Sequence, residues 1–350
     1  MKFTAEDNYV NTVGRTLMYD GIRYMNYSCS SIEFIFTGRK AEAVLWTDSQ
    51  TLEDIYAAWV AVFVDGGEQP SIRFSLNKEE DTYLLYESET EKETRIRLVK
   101  YSEVAFGRVG IKEIIIDSGN APRPSAKKAR RLEFIGDSIT CGYGNEGVWN
   151  VDGFNTAQEN PWEAYAAVTA RALDADYHLI SWSGIGIISN WTDQEVPNDA
   201  WLMPAMYPYT DKSTDLALGH REQQLWDHSS FTPDCIIINL GTNDASYTKG
   251  IAGRVETFGK EYFRFVKNVH TLNPASKILC TLGAMGQELC EELERQVKKL
   301  SDEGSGEIYS MRFDLQKEQD GIGTDWHPGK TTHRKMARKL EDRLRKIMVW

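Results

Sequence analysis

The feature that most restricts the fold is a change of period near residue 120. Up to about residue 117 the chain is a succession of short runs rich in β-branched and aromatic residues. Residues 32–36, 41–47, 59–65, 72–76, 82–87, 94–99 and 111–117 are separated by Gly, Asp, Asn and Pro clusters and carry no helical repeat. Short strands at this spacing predict a β-sandwich of jelly-roll type. From residue 132 continuous apolar runs alternate with amphipathic stretches. The pattern predicts strands over 132–135, 177–181, 235–240, 278–282 and 308–313, and helices over 161–173, 255–272, 287–300 and 331–347. Such alternation predicts an α/β domain whose parallel sheet is covered on both faces. The expected division is residues 1–122 as the sandwich, 123–131 as linker and 132–350 as the α/β domain. Pro122, Pro124 and the basic run from Lys127 to Arg131 mark the linker, a stretch where regular structure is not expected.

Composition excludes several classes of function. Hydrophobic residues at 41% and charged residues at 26% fit a globular chain, neither disordered nor embedded in a membrane. A formal charge of −12 argues against nucleic acid as a partner, because neutralising phosphates requires a basic surface. The start, MKFTAEDNYV, has no apolar run behind its lysine, and no stretch is long and apolar enough to span a bilayer. These points read as a soluble, leaderless, cytoplasmic protein, although a secreted chain with its signal removed reads the same. Five cysteines without a C-x-x-C pair predict neither a zinc site nor redox chemistry, and fit reduced thiols. The sequence assigns no oligomeric state.

In parallel sheets, sites form beyond the carboxyl ends of the strands, so the residues that follow each strand carry the functional reading. After the first comes Gly136-Asp137-Ser138-Ile139-Thr140, which presents a serine hydroxyl with its own N–H as a donor. After 177–181 comes Ser183-Gly184-Ile185-Gly186, where Gly184 offers an unhindered N–H, and after 235–240 comes Gly241-Thr242-Asn243-Asp244, where Asn243 offers an amide. Asp325-Trp326-His327-Pro328 precedes the last helix, with Pro328 suited to a first turn. Each has a plain alternative: a serine N-cap, an Asn-Asp turn, a loop, a structural histidine. Their occurrence in this order, each at a strand end or on the final loop, points instead to acyl transfer, with Ser138 as nucleophile and His327 as base. Ser138 N–H, Gly184 N–H and Asn243 then form the oxyanion hole.

The set resembles the SGNH, or GDSL-like, hydrolase superfamily over about residues 132–347, through Ser138 in GDS, Gly184, Asn243 in GTND, and His327. GDSITCGYGNEG, the β-rich first half and the DWHP ending look more closely like carbohydrate esterase family 2. Members of that family join an N-terminal jelly roll to an SGNH domain and remove acetyl groups from plant polysaccharides such as xylan and glucomannan. The resemblance implies a serine esterase that takes an acetylated oligo- or polysaccharide through an acyl-enzyme, with no metal and no organic cofactor. Two other readings are a lipase- or thioesterase-like SGNH hydrolase of longer acyl esters, and a carbohydrate-binding protein with an inactive hydrolase domain. One departure stands out. The superfamily usually places its triad aspartate three residues before the histidine, where this chain has Thr324, with Asp325 two before. A Ser138–His327–Asp325 triad and a Ser138–His327 dyad held by backbone carbonyls are both open. Trp162 and Trp226 lie in helical patterns and are expected in the core, whereas Trp326, beside His327, is expected to line the acetyl or sugar pocket.

Overall fold

The computed structural model describes all 350 residues and divides into two compact units. The first holds Met1–Lys127 together with Asn155–Glu159 and Thr210–Gln224; the second holds Lys128–Phe154, Asn160–Tyr209 and Leu225–Trp350. The two short segments of the first unit come from sequence that periodicity places in the α/β half. They are held there by specific bonds: Thr156 Oγ1 donates to the carbonyls of Ile55 and Ala57, and Asn26 Nδ2 donates to Asp211 Oδ2 at 2.9 Å.

The first unit is an antiparallel sheet domain built on two long strands. The runs 32–36 and 41–47 are one strand, Ser31–Thr47, and the runs 82–87 and 94–99 are another, Glu80–Lys100. The two pair along their length, with register shifts between Gly38 and Lys40 and between Ala41 and Glu42. The shift explains why the sequence reads as separate strands. Ile32, Phe34 and Phe36 are buried before it and Ala41, Ala43 and Leu45 after it, so the inward-facing parity flips at the irregularity. On its other side, Ser31–Thr47 pairs first with Asn11–Val13 and Arg123–Pro124, then with Val109–Ile116. Arg123–Pro124 lies in the stretch expected to lack regular structure. Proline is admitted there because the added strand is only two residues long and sits at an edge.

The second unit carries five parallel strands in the spatial order Ala175–Ser181, Arg130–Gly136, Cys235–Asn239, Lys277–Leu282, Ile308–Arg312. The sheet centre is apolar but for Glu133, whose buried carboxylate accepts the Tyr207 hydroxyl at 2.7 Å: Leu132, Phe134 and Ile135, and Cys235 through Ile238, are fully buried. Helices cover them in two pairs, Tyr165–Ala172 with Lys330–Met348, and Ala252–Leu272 with Cys290–Asp302. In Ala252–Leu272 the buried residues Phe258, Tyr262, Phe265, Val266 and Val269 repeat at three- and four-residue steps, which turns one stripe to the sheet. The first strand by sequence lies between the second and third. The connections therefore diverge between Arg130–Gly136 and Cys235–Asn239, where an open α/β sheet leaves a crevice.

Three local expectations are corrected. The helix expected over 161–173 is a 3₁₀ turn, Pro161–Glu163, followed by a shorter helix, Tyr165–Ala172, because Asn160 caps the turn and Ala164 is extended. Trp162 is buried as expected, but Trp226 is half-buried in an irregular segment against His178, not in a helix. Pro328 precedes Gly329, the N-cap of Lys330–Met348, so it stands just outside the first turn. No helix is long and apolar enough to cross a membrane. All five cysteines are buried and none is joined in a disulfide.

Candidate active site

Ser138 opens the short helix Ser138–Cys141 directly after the strand Arg130–Gly136. The N-cap is Asp137, whose Oδ1 accepts the Ile139 N–H at 3.0 Å, so the capping duty falls to its neighbour and not to Ser138. Gly136 is required by close approach: a Cβ there would stand 2.0 Å from Thr140 Oγ1.

His327 reaches this serine from a loop 189 residues away in sequence, with Nε2 2.9 Å from Ser138 Oγ. Its other nitrogen, Nδ1, faces two backbone carbonyls, Thr324 O at 3.2 Å and Asp325 O at 3.1 Å. Carbonyls only accept, so Nδ1 carries the proton and the Nε2 lone pair faces the serine hydroxyl. Asp325 and Trp326 hold this geometry by adopting positive φ of 52° and 64°, a left-handed turn that aims two successive carbonyls at one ring. The turn rests on the glycine-rich segment after Ser138. Thr324 N–H donates to Gly144 O at 3.0 Å, and a Cβ on Gly144 would lie 2.8 Å from Thr324 Cβ. The Asp325 carboxylate points away from the imidazole and accepts the Tyr143 hydroxyl at 2.9 Å. Tyr143 in turn lies against the His327 ring, with centroids 4.4 Å apart. Burial pushes His327 down to about 4, against the smaller opposing pull of the two carbonyls and of the Asp325 charge.

The oxyanion candidates sit on neighbouring strand ends. Gly184 takes a positive φ of 78°, a conformation that favours glycine, and its carbonyl accepts the Trp191 N–H at 2.8 Å. Asn243 lies in the first turn of the helix Thr242–Thr248 and is buried. Its Nδ2 does not close a local turn; it donates to Ile185 O at 2.9 Å, in the loop that carries Gly184. One amide hydrogen is used there and the other remains for a ligand. Ser138, Gly184, Asn243 and His327 thus all belong to the second unit.

Comparison with known proteins settles the family. Residues 134–335 match the GDSL-like lipase/acylhydrolase family, and residues 12–125 match the carbohydrate esterase 2 N-terminal family. The structure of a family two carbohydrate esterase from Clostridium thermocellum, in complex with cellohexaose, superposes with a TM-score of 0.85 at 30% identity, covering 97% of this chain and 99% of that one. The chain belongs to carbohydrate esterase family 2. An acetylxylan esterase / glucomannan deacetylase of Cellvibrio japonicus is 29% identical to this family 2 esterase over 349 residues, 99% of this chain and 91% of that protein. The cellulase/esterase CelE of Acetivibrio thermocellus is 32% identical over 93% of this chain, which spans 38% of that protein's length.

Aromatic side chains flank the esterase site on two sides. Trp326 is 37% exposed and meets Trp149 edge-to-face at 4.3 Å. Beside Gly184 lies a cavity of about 260 Å³ whose wall includes Trp182, Trp191, Trp201, Asn190 and Asn198. The sequence reading missed three members of the site: Tyr143, which takes up Asp325, and the buried carboxyls Asp137 and Asp244. Burial, with Asp244 nearby, pushes Asp137 up to about 7, and burial pushes Asp244 up to about 6. Both belong to the motifs themselves, Asp137 to GDS and Asp244 to GTND, and an acidic residue just beyond an apolar strand was the available signal.

Proposed function

We propose that this family 2 esterase removes O-acetyl groups from plant polysaccharides or their oligosaccharides, with xylan and glucomannan as the substrate class. The observation that carries the reading is the 2.9 Å contact between His327 Nε2 and Ser138 Oγ, with Nδ1 spent on carbonyls. The named activity of the Cellvibrio japonicus relative supports the substrate class.

In this reading Ser138 and His327 work as a dyad oriented by the carbonyls of Thr324 and Asp325. His327, neutral above about pH 5 because burial holds it near 4, takes the Ser138 proton as Oγ attacks the acetyl carbonyl. The oxyanion that forms is held by the N–H groups of Ser138 and Gly184 and by the Asn243 amide. Collapse expels the sugar oxygen, to which His327 returns the proton. Water then attacks the acetyl-serine with His327 again as base, releasing acetate. The Asp325 carboxylate, turned to Tyr143, supports the loop and does not touch the imidazole. Trp326 and Trp149 supply apolar faces of the kind on which pyranose rings stack.

The test is acetate release from acetylated xylan and glucomannan, with the deacetylated positions read by NMR. Release by the unaltered chain and none by Ser138→Ala is expected. A rate that rises from acetyl to longer acyl esters, with no release from either polysaccharide, replaces this reading by a lipase-like one.

A further inference from the structure

Asp244 is fully buried, yet it makes no contact with His327 or Ser138 among its hydrogen bonds. Its carboxylate gathers a run of successive backbone amides. Oδ1 accepts Ile187 N–H at 3.0 Å, Ile188 N–H at 2.7 Å and Ser189 N–H at 3.2 Å, while Oδ2 accepts Ile187 N–H at 3.1 Å. The backbone wraps the carboxylate so closely that a Cβ on Gly186 would stand 2.9 Å from Asp244 Oδ2 and 1.9 Å from Ser189 O. The preceding residue, Asn243, holds the same loop from the other side through Ile185 O. The loop therefore leaves the strand Ala175–Ser181, presents Gly184, and is pinned at 185 and at 187–189 by two consecutive side chains of one helix turn.

We propose that Asp244 is the positioning residue of the oxyanion hole: its ionised carboxylate fixes the loop that carries the Gly184 N–H, and fixes it relative to Asn243. The inference rests on the acetyl esterase reading and extends it. A carboxylate accepts these amides, whereas a protonated carboxyl turns a hydrogen toward them and loses part of the set. The titratable groups that face Asp244 are Asp137, from the turn after Arg130–Gly136, and Tyr262, on the helix Ala252–Leu272. The wrapped loop, residues 184–189, contributes amides and no titrating side chain. Burial pushes Asp244 up to about 6, while His327 is held down near 4. Between those values the base is neutral and competent, but the loop is losing its anchor. Asp137, pushed up to about 7, is already protonated in that window, so the loss of turnover between pH 6 and 4 belongs to the oxyanion loop and not to the serine turn or the catalytic base.

The experiment uses an aryl acetate, so that it does not depend on recognition of any polysaccharide, and follows kcat and KM from pH 4 to 8. The unaltered chain is expected to show an acid limb in kcat near pH 6. Asp244→Asn is expected to lose about 10²–10³ in kcat, the scale of one oxyanion donor, with KM changed less than about threefold and the limb moved toward pH 4. Gly186→Ala, which disturbs the wrap without altering charge, is expected to lose kcat on the same scale while keeping the limb near 6. Turnover of the unaltered chain that stays level down to pH 5 overturns the inference without any variant. So does an Asp244→Asn protein with unchanged kcat, or with its limb still near 6. No turnover by the unaltered chain, or turnover that survives Ser138→Ala, overturns the esterase reading itself.

Discussion

In the antiparallel unit, Glu33 and Arg97 face one another on paired strands, with Arg97 Nε 2.7 Å from Glu33 Oε2. Lys100 there, fully buried, is the exception: its ammonium hydrogens go to the neutral oxygens Ser102 O, Ser102 Oγ and Glu103 O, and burial lowers it to about 8. In the parallel unit, Asp137 and Asp244 lie just beyond strand ends and His327 on the loop before the last helix, with backbone amides or carbonyls as their hydrogen-bond partners. The difference is one of purpose. A buried charge matched by an opposite charge serves to hold two strands in register. A buried acid or base held by neutral dipoles is oriented but left titratable, because burial can then move it by several pH units. The values near 7, 6 and 4 for Asp137, Asp244 and His327 follow from that arrangement.

Substitutions test this contrast. The largest effect is expected from Ser138→Ala, which should lower the hydrolysis of an aryl acetate by at least about 10⁴ while circular dichroism and melting stay unchanged, as befits a group kept for chemistry. Arg97→Ala is the opposite case. It leaves the Glu33 carboxylate buried and unmatched, so it should cost about 3 kcal/mol in denaturant unfolding while the folded fraction keeps its kcat. A loss of kcat with no loss of stability would erase the distinction between the two units.

Asn243→Ala should reduce kcat by about 10²–10³ with little change in KM, because in the proposed mechanism its amide acts on the oxyanion and not on the ground-state ester. An effect confined to KM would assign the residue to binding. Asp325→Ala should be milder, about tenfold to a hundredfold. The imidazole tautomer is set by the carbonyls of Thr324 and Asp325, and those survive the substitution, whereas loss of the tautomer costs about 10⁴. If Asp325→Ala matches the loss in His327→Ala, in proteins that remain folded, the triad is restored and the dyad abandoned.

The sequence by itself determined the α/β half to a large extent. The strands Lys277–Leu282 and Ile308–Arg312 and the helix Lys330–Met348 fall within a few residues of their periodicity, because a continuous apolar run and an amphipathic stripe are local signals. Ser138, Gly184, Asn243 and His327 were legible as candidates for a similar reason: each adjoins a glycine or a turn at the end of such an element. The sandwich half was less legible. Ser31–Thr47 and Glu80–Lys100 each read as two strands, since a bulge reverses the inward parity and only the pairing partner shows that the chain continues. Tertiary structure alone decided the rest. The Asp325 carboxylate turns to Tyr143, 182 residues away in sequence, because two left-handed residues swing the backbone carbonyls toward the imidazole in its place. Asp244 finds the amides of Ile187, Ile188 and Ser189 only once the strands that carry the two segments lie in one sheet. Spacing along a chain specifies which face of an element a residue occupies; which distant group meets it there is set by packing, and no local period encodes that.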